Sequence, residues 1–176
     1  MRDEAAFVEF AEAVHAKLRR TAYLMCGDWH QASDHVQEGL IRVYVAWPRL
    51  TRAGREYAYA RKCVVSAFLD HARRRSSTEV PAQPDHDIRS VDDVAENLAS
   101  RVVLMAALDA LAPRQRACVV LRYFEQLDVR ETALALGCSE GTVKSQTSRA
   151  LASLRAMFED ASRDELVVAG EKVLPW

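Results

Sequence analysis

Apolar residues recur every three or four positions along most of this chain and almost nowhere alternate strictly, so the pattern predicts helices. Phe7, Phe10, Val14, Leu18, Ala22 and Met25 mark one stripe and predict a helix over 5–25, ended by Cys26-Gly27-Asp28. Val36, Leu40, Val43, Tyr44 and Trp47 mark a second over 32–47, with Ser33 or Asp34 as its cap and Pro48 as its stop. Tyr57, Ala60, Val64, Ala67, Phe68 and His71 mark a third over 56–75. The periodicity then lapses. Ser76 to about Glu96 contains Pro81 and Pro84, many acids and no large apolar stripe, as expected of a flexible or extended connector. It resumes with Leu98, Val102, Met105, Leu108 and Leu111. Pro113 opens the next helix, where its missing N–H costs nothing, and that helix is expected to reach Phe124 and pack through Val119, Val120, Tyr123 and Phe124.

The densest local signals lie between Asp128 and Arg155. Asp128 and Glu131 have capping-box spacing, and Thr132, Ala133, Ala135 and Leu136 make a small, closely packable helix. Gly137 suits the left-handed position that ends it, and Ser139 caps a second helix. Val143, Ala150, Leu151 and Leu154 face one way; Lys144, Ser145, Gln146, Ser148, Arg149 and Arg155 face the other. A polar, cationic helix face held across a glycine turn by a short helix is what reading a DNA major groove requires. A merely solvated face would have the same composition.

The expected fold is therefore all-α: a first helical domain over 1–75, an acidic linker over 76–97, a second domain with a helix-turn-helix over 98–160, and a tail over 161–176. In the tail, Leu166, Val167 and Val168 can continue a helix, while Val173 to Trp176 stay unassigned. No run of apolar residues is long enough to span a membrane, and MRDEAAF does not begin a signal peptide, so a cytoplasmic protein is expected.

Charge sharpens this. The net charge of −1 hides a local +6 from Arg49 to Arg75 and a local −5 from Ser76 to Asn97. Arg55 ends a basic loop before the third helix, and on that helix Arg61 and Lys62 lie among Tyr57 and Tyr59, a mixture suited to single-stranded or melting DNA. A tyrosine at helical spacing is, however, more often core than a stacking platform. Cys26, Cys63, Cys118 and Cys138 lack CxxC spacing and are expected to be reduced, buried thiols. Cys26, His30 and His35 come nearest to a zinc set, but they lack a fourth ligand and straddle a turn. No metal and no cofactor is expected.

Together, ASDHVQEGLIRVYVAWPRL and LDALAPRQRACVVLRYFEQLDVRETALALGCSEGTVKSQTSRALASLR resemble regions 2 and 4 of the extracytoplasmic-function sigma factors of bacterial RNA polymerase. CGDWH and YVAWPRL resemble an actinobacterial subgroup. The resemblance implies a first domain that binds the β′ clamp helices through Asp34, Gln37, Glu38 and Arg42 and opens the −10 element. Arg55, Tyr57, Tyr59, Arg61, Lys62 and Ser66 are the −10 candidates. The second domain would lie near the β flap and read the −35 element through Lys144, Ser145, Gln146, Ser148 and Arg149. Arg149 best suits a bidentate guanine contact and Lys144 a phosphate. One departure concerns the third helix: the family's Arg-x-x-x-Asn-x-x-x-Asp stands here as Lys62, Ser66 and Asp70, which bears on −10 preference. Expected partners are core polymerase, promoter DNA and a separate anti-sigma factor. Two other readings stay open: a stand-alone helix-turn-helix regulator, and a sigma-like decoy that docks without opening promoters. An enzyme is least expected, because no phosphate loop, acid/base pair or nucleophile–histidine arrangement appears.

Overall fold

The computed structural model describes residues 4–50, 54–77 and 95–171, leaving out the side chains of 77, 95–101 and 160–171. Most of the expected connector and Val173 to Trp176 therefore lie outside the described residues. The helices are α1 (Glu4–Cys26), α2 (Trp29–Leu50), α3 (Glu56–Ser77), α4 (Ala95–Asp109), α5 (Pro113–Val119), α6 (Val129–Leu136) and α7 (Glu140–Glu171), with a wide π turn over Val120–Phe124. No strand occurs among the described residues.

The first three helices close a core of Leu18, Ala22, Ala32, Val36, Val43, Trp47, Ala60 and Val64. Phe7 packs edge-on against Tyr44 and Trp47, with ring centroids at 4.9 and 5.4 Å. At the α2/α3 crossing, a Cβ added to Gly39 would lie 2.7 Å from Val64 Cγ2 and 3.1 Å from its backbone nitrogen, so only glycine allows this approach. Helix α2 starts earlier than its sequence signals suggest. Asp28, not Ser33 or Asp34, caps it by accepting a 2.8 Å hydrogen bond from the Gln31 N–H. Ser33 instead donates back to the Trp29 carbonyl and accepts from Arg19 Nε, both at 2.9 Å. Pro48 does not stop α2 but sits in its last turn, where one ladder bond is lost and little helix remains to be disrupted.

The second half begins on α4. Met105, Leu108 and Leu111 pack with Ala150 of α7. A larger cluster joins the two halves: Met25, Val65 and Phe68 pack with Ala117, Cys118, Val120, Leu121, Leu127, Ala133, Ala135, Leu136 and Val143. Arg116 adds a polar stitch, donating to the Met25 carbonyl at 3.0 Å and pairing with Asp109 at 2.6 Å. Tyr123 and Phe124, expected in the core, are largely exposed instead, and Leu121 is the fully buried residue. The cause is the π turn. The Glu125 N–H bonds to the Val120 carbonyl five residues back, which widens the turn and rotates later side chains off the apolar stripe. Gln126 leaves the turn with a left-handed φ of 57°, a rare conformation for a residue with a Cβ.

His35 is buried beside Phe68 and His71, and its Nε2 has no hydrogen-bond partner. Burial, followed by the nearby His71, lowers its pKa from 6.5 to about 4, against an opposing pull from Glu38 and Asp34. Between those values the unfolded chain binds the proton and the folded chain does not, so stability falls with acidification through that window. The full span amounts to about 3 kcal/mol. Thermal melts at stepped pH check this: between pH 6.5 and 4.5, Tm should drop more steeply in the wild type than in His35→Gln. Parallel curves would show that His35 is not the group responsible.

Candidate functional site

Helices α6 and α7 build the first surface. Asp128 accepts from the Glu131 N–H at 2.7 Å while Glu131 accepts from the Asp128 N–H at 2.9 Å, completing the capping box. Gly137 closes α6 at φ 62°, and the Ser139 hydroxyl accepts from the Thr142 N–H at 3.1 Å to start α7. Val143 and Ala150 then anchor one face of α7 in the core. This turns Lys144, Ser145, Ser148 and Arg149 out to solvent along one side of the helix, while Gln146 sits at the margin of the buried face. Ser145 donates to the Thr142 carbonyl at 3.0 Å. The Lys144 and Arg149 side chains both stand in solvent, where a phosphate or a base edge can reach them.

The outer side of α2 forms the second surface. Asp34 and Gln37 are exposed, and Glu38 pairs with Arg42 one turn on. Arg42 also lies 3.9 Å from Asp70, which holds Arg73 at 3.4 Å, so the network crosses from α2 to α3. Two residues missed in the sequence belong here. Ile41 is 65% exposed and Val45 64%, on the stripe that continues Asp34 and Gln37. Their signal is readable in hindsight: both are apolar, four apart, and out of register with Val36, Leu40, Val43 and Trp47. An apolar strip bordered by charge is the composition of a docking face.

The third surface is α3, and here the structure divides the −10 candidates. Arg55, Tyr59, Arg61 and Lys62 line a cavity of about 670 Å³, whose far wall is α6 with Asp128, Arg130, Glu131 and Leu134. Tyr57 and Arg61 reach Glu125, which follows the π turn: the Tyr57 hydroxyl lies 3.2 Å and the Arg61 guanidinium 3.5 Å from its Oε2. Burial, then the Glu125 carboxylate, raises the Tyr57 pKa above that of a free phenol. Ser66 stands apart from both groups, half-buried and more than a helical turn beyond Arg61. Lys17 and Thr21 of α1 reach the same Glu125 carboxylate, at 3.8 and 2.5 Å, and none of these three residues was anticipated, because no local sequence pattern links residues so far apart in the chain.

The four cysteines are free thiols. Burial pushes Cys26 up to about 12 and Cys118 up to about 11, so neither is a ready thiolate. Cys26 donates to the Asp28 carbonyl at 3.1 Å. No cluster of three metal-ligating side chains occurs among the described residues, and no described helix is long and apolar enough to cross a membrane.

Residues 10–78 match sigma-70 region 2 and residues 101–154 match sigma-70 region 4. The chain is 39% identical over 168 residues to the RNA polymerase sigma-E factor of Streptomyces avermitilis, covering 94% of this chain and 93% of that one. It is 40% identical over 151 residues to the sigma-E factor of Streptomyces coelicolor, covering 84% and 85%. Among solved structures, the fold resembles the sigma factor RpoE bound to the anti-sigma factor NepR from Bartonella quintana, with a TM-score of 0.64 at 21% identity over 88% of this chain and 97% of that one. It likewise resembles CnrH in complex with the cytosolic domain of CnrY, with a TM-score of 0.63 at 18% identity and 90% of both chains covered.

Proposed function

The chain belongs to the sigma-70 family, in its extracytoplasmic-function branch, and from that premise we propose how its three surfaces share the work of an RNA polymerase sigma factor. The outer face of α2 docks on the β′ clamp helices through Asp34, Gln37, Glu38 and Arg42, with Ile41 and Val45 as apolar anchors. The α7 face reads the −35 element, and the basic face of α3 takes the −10 strand as it opens. The protein supplies binding free energy rather than covalent chemistry. Unstacking costs about a few kcal/mol per base step, and captured −10 bases, −35 contacts and the polymerase interface offset it together. Near-neutral overall, the chain gains its affinity from two DNA-binding halves held on one polymerase. A separate anti-sigma partner belongs to the same proposal, as does action in the cytoplasm where polymerase works.

The observation that carries this reading is the presence, on one chain, of an exposed apolar-and-charged docking strip on α2 beside the basic α3 and the cationic α7. A stand-alone operator-binding regulator would have no use for that strip. The test is promoter-dependent transcription by purified core polymerase, with and without this protein. Specific transcripts should appear only when it is added. Ile41→Glu should weaken binding to core by about tenfold or more, as expected when an apolar anchor is replaced by a charge that the interface would have to desolvate, while leaving Tm unchanged because the side chain is exposed. Undiminished core binding by Ile41→Glu would remove the strip from the interface, and polymerase binding without any transcript would favour the decoy.

A further inference from the structure

Glu125 presents an unusual set of contacts. Its side chain is 1% exposed, yet every charged or hydroxyl group described against it comes from the first half of the chain. Thr21 of α1 donates to Oε1 at 2.5 Å and the Tyr57 hydroxyl to Oε2 at 3.2 Å. Arg61 lies 3.5 Å and Lys17 3.8 Å from Oε2. Lys17 also stands 4.7 Å from the centre of the Tyr57 ring, and Arg61 stands 5.4 Å from it, so both cations border the ring as well as the carboxylate. Burying a carboxylate is costly without such partners. The donors, by contrast, belong to an otherwise basic surface.

Two cations and two hydroxyl donors converging on one point match a phosphate as well as a carboxylate. Two further observations favour the larger anion. Arg61 Nε is buried with no hydrogen-bond partner, so Glu125 leaves part of the guanidinium fork unused. Arg55 and Lys62 line the same cavity wall as Arg61, opposite α6 with Asp128 and Glu131, so withdrawal of α6 leaves a row of cations along which a strand can run past the point.

We propose that Lys17, Thr21, Tyr57 and Arg61 form a pocket for a backbone phosphate of single-stranded promoter DNA, and that Glu125 fills it in the closed chain as an internal phosphate mimic. This rests on the sigma-factor reading and adds two residues, Lys17 and Thr21, to the −10 surface. DNA and Glu125 compete for the same donors, so strand capture requires the second half to swing away from α1 and α3. The free protein is thereby held from single strands, and a partner that separates the two halves would open the pocket. A closed population lowers apparent affinity in proportion to its share.

The experiment uses the full chain without polymerase and a fluorescein-labelled single-stranded oligonucleotide carrying a −10 sequence. Glu125→Gln keeps the shape and removes the charge. It should bind the oligonucleotide about tenfold more tightly than wild type, by relief of that closed population. Adding Arg61→Ala or Lys17→Ala should abolish the gain, and Lys17→Ala should make the salt dependence shallower by about 0.7 in logarithmic slope, the share of one phosphate contact on a single strand. Small-angle scattering of the wild type should show expansion as oligonucleotide saturates it, a readout that needs no variant to fold. An unchanged affinity in Glu125→Gln, a gain that survives loss of Arg61 and Lys17, or saturation without expansion would each overturn the proposal. Wild-type transcription with core polymerase separates the two levels: transcripts without any Glu125 effect sink the pocket alone, whereas no transcripts sink the sigma reading beneath it.

Discussion

Leu121→Ala is expected to lower the unfolding free energy by about 3–5 kcal/mol, the range for emptying a fully buried leucine site, and to do so for both halves together. Leu121 has no exposed surface and belongs to the cluster that includes Met25, Val65 and Phe68 from α1 and α3. The cavity therefore opens where the two halves meet. Against a total of about 5–15 kcal/mol for a typical domain, the loss is large enough to move the midpoint visibly. Trp29 and Trp47 fluoresce from the first half, so with Trp176→Phe as background they report on a region that does not contain the mutation. Their urea midpoint should fall in step with circular dichroism at helical wavelengths. Leu134→Ala, at a mostly exposed site on α6, is the control and should change stability by no more than about 0.5 kcal/mol. A tryptophan midpoint that stays put in Leu121→Ala would mean that the halves unfold independently and that their joint cluster contributes little.

The second large effect concerns reading rather than folding. Arg149→Ala should reduce transcription from a promoter with a −35 element by about 10- to 100-fold, the equivalent of about 1–3 kcal/mol for a bidentate base contact. Arg149 is exposed on α7 and follows Lys144 and Ser145 by about one helical turn, so its fork can enter the groove without moving the core residues Val143 and Ala150. The loss should be specific. On a template whose contacted guanine is replaced, wild type and Arg149→Ala should perform alike. Lys144→Ala should instead weaken binding evenly across templates and flatten the salt dependence, as for a phosphate contact. Equal losses from Arg149→Ala on templates with and without the −35 element would remove the base-reading role.

Local chemistry explains why so much of this molecule was legible before folding. The capping box at Asp128 and Glu131, the turn at Gly137 and the cap at Ser139 each depend on residues within three or four positions, and all stand as their spacing suggests. The outward set on α7 follows from the position of Val143 and Ala150. Where the reading failed, the cause was a choice among several adequate local signals or a departure from the 3.6-residue period. Asp28, Ser33 and Asp34 are all competent caps, and only the geometry of the α1–α2 connection selects Asp28. The π turn breaks the period that placed Tyr123 and Phe124 inside. Ile41 and Val45 were overlooked because a stripe search finds residues that share a face, not the apolar pair left on the opposite one. Glu125 could not be found at all: its importance lies in Lys17, Thr21, Tyr57 and Arg61, which only tertiary packing brings to it.

The glycine at the α2/α3 crossing also sets how force passes through the molecule. With the Val64 methyl and backbone pressed where a side chain of residue 39 would stand, the α2 backbone packs directly on Val64 of α3. The two helices are thereby expected to move as one beam rather than as two rods on a cushion. A push on the exposed edge of α2 should reach α3 with little slack, so that, on the proposed reading, the grip on polymerase would fix the aim toward DNA. Any larger residue at 39 would insert a spacer and introduce play into that coupling, even if both outer faces kept every one of their own side chains.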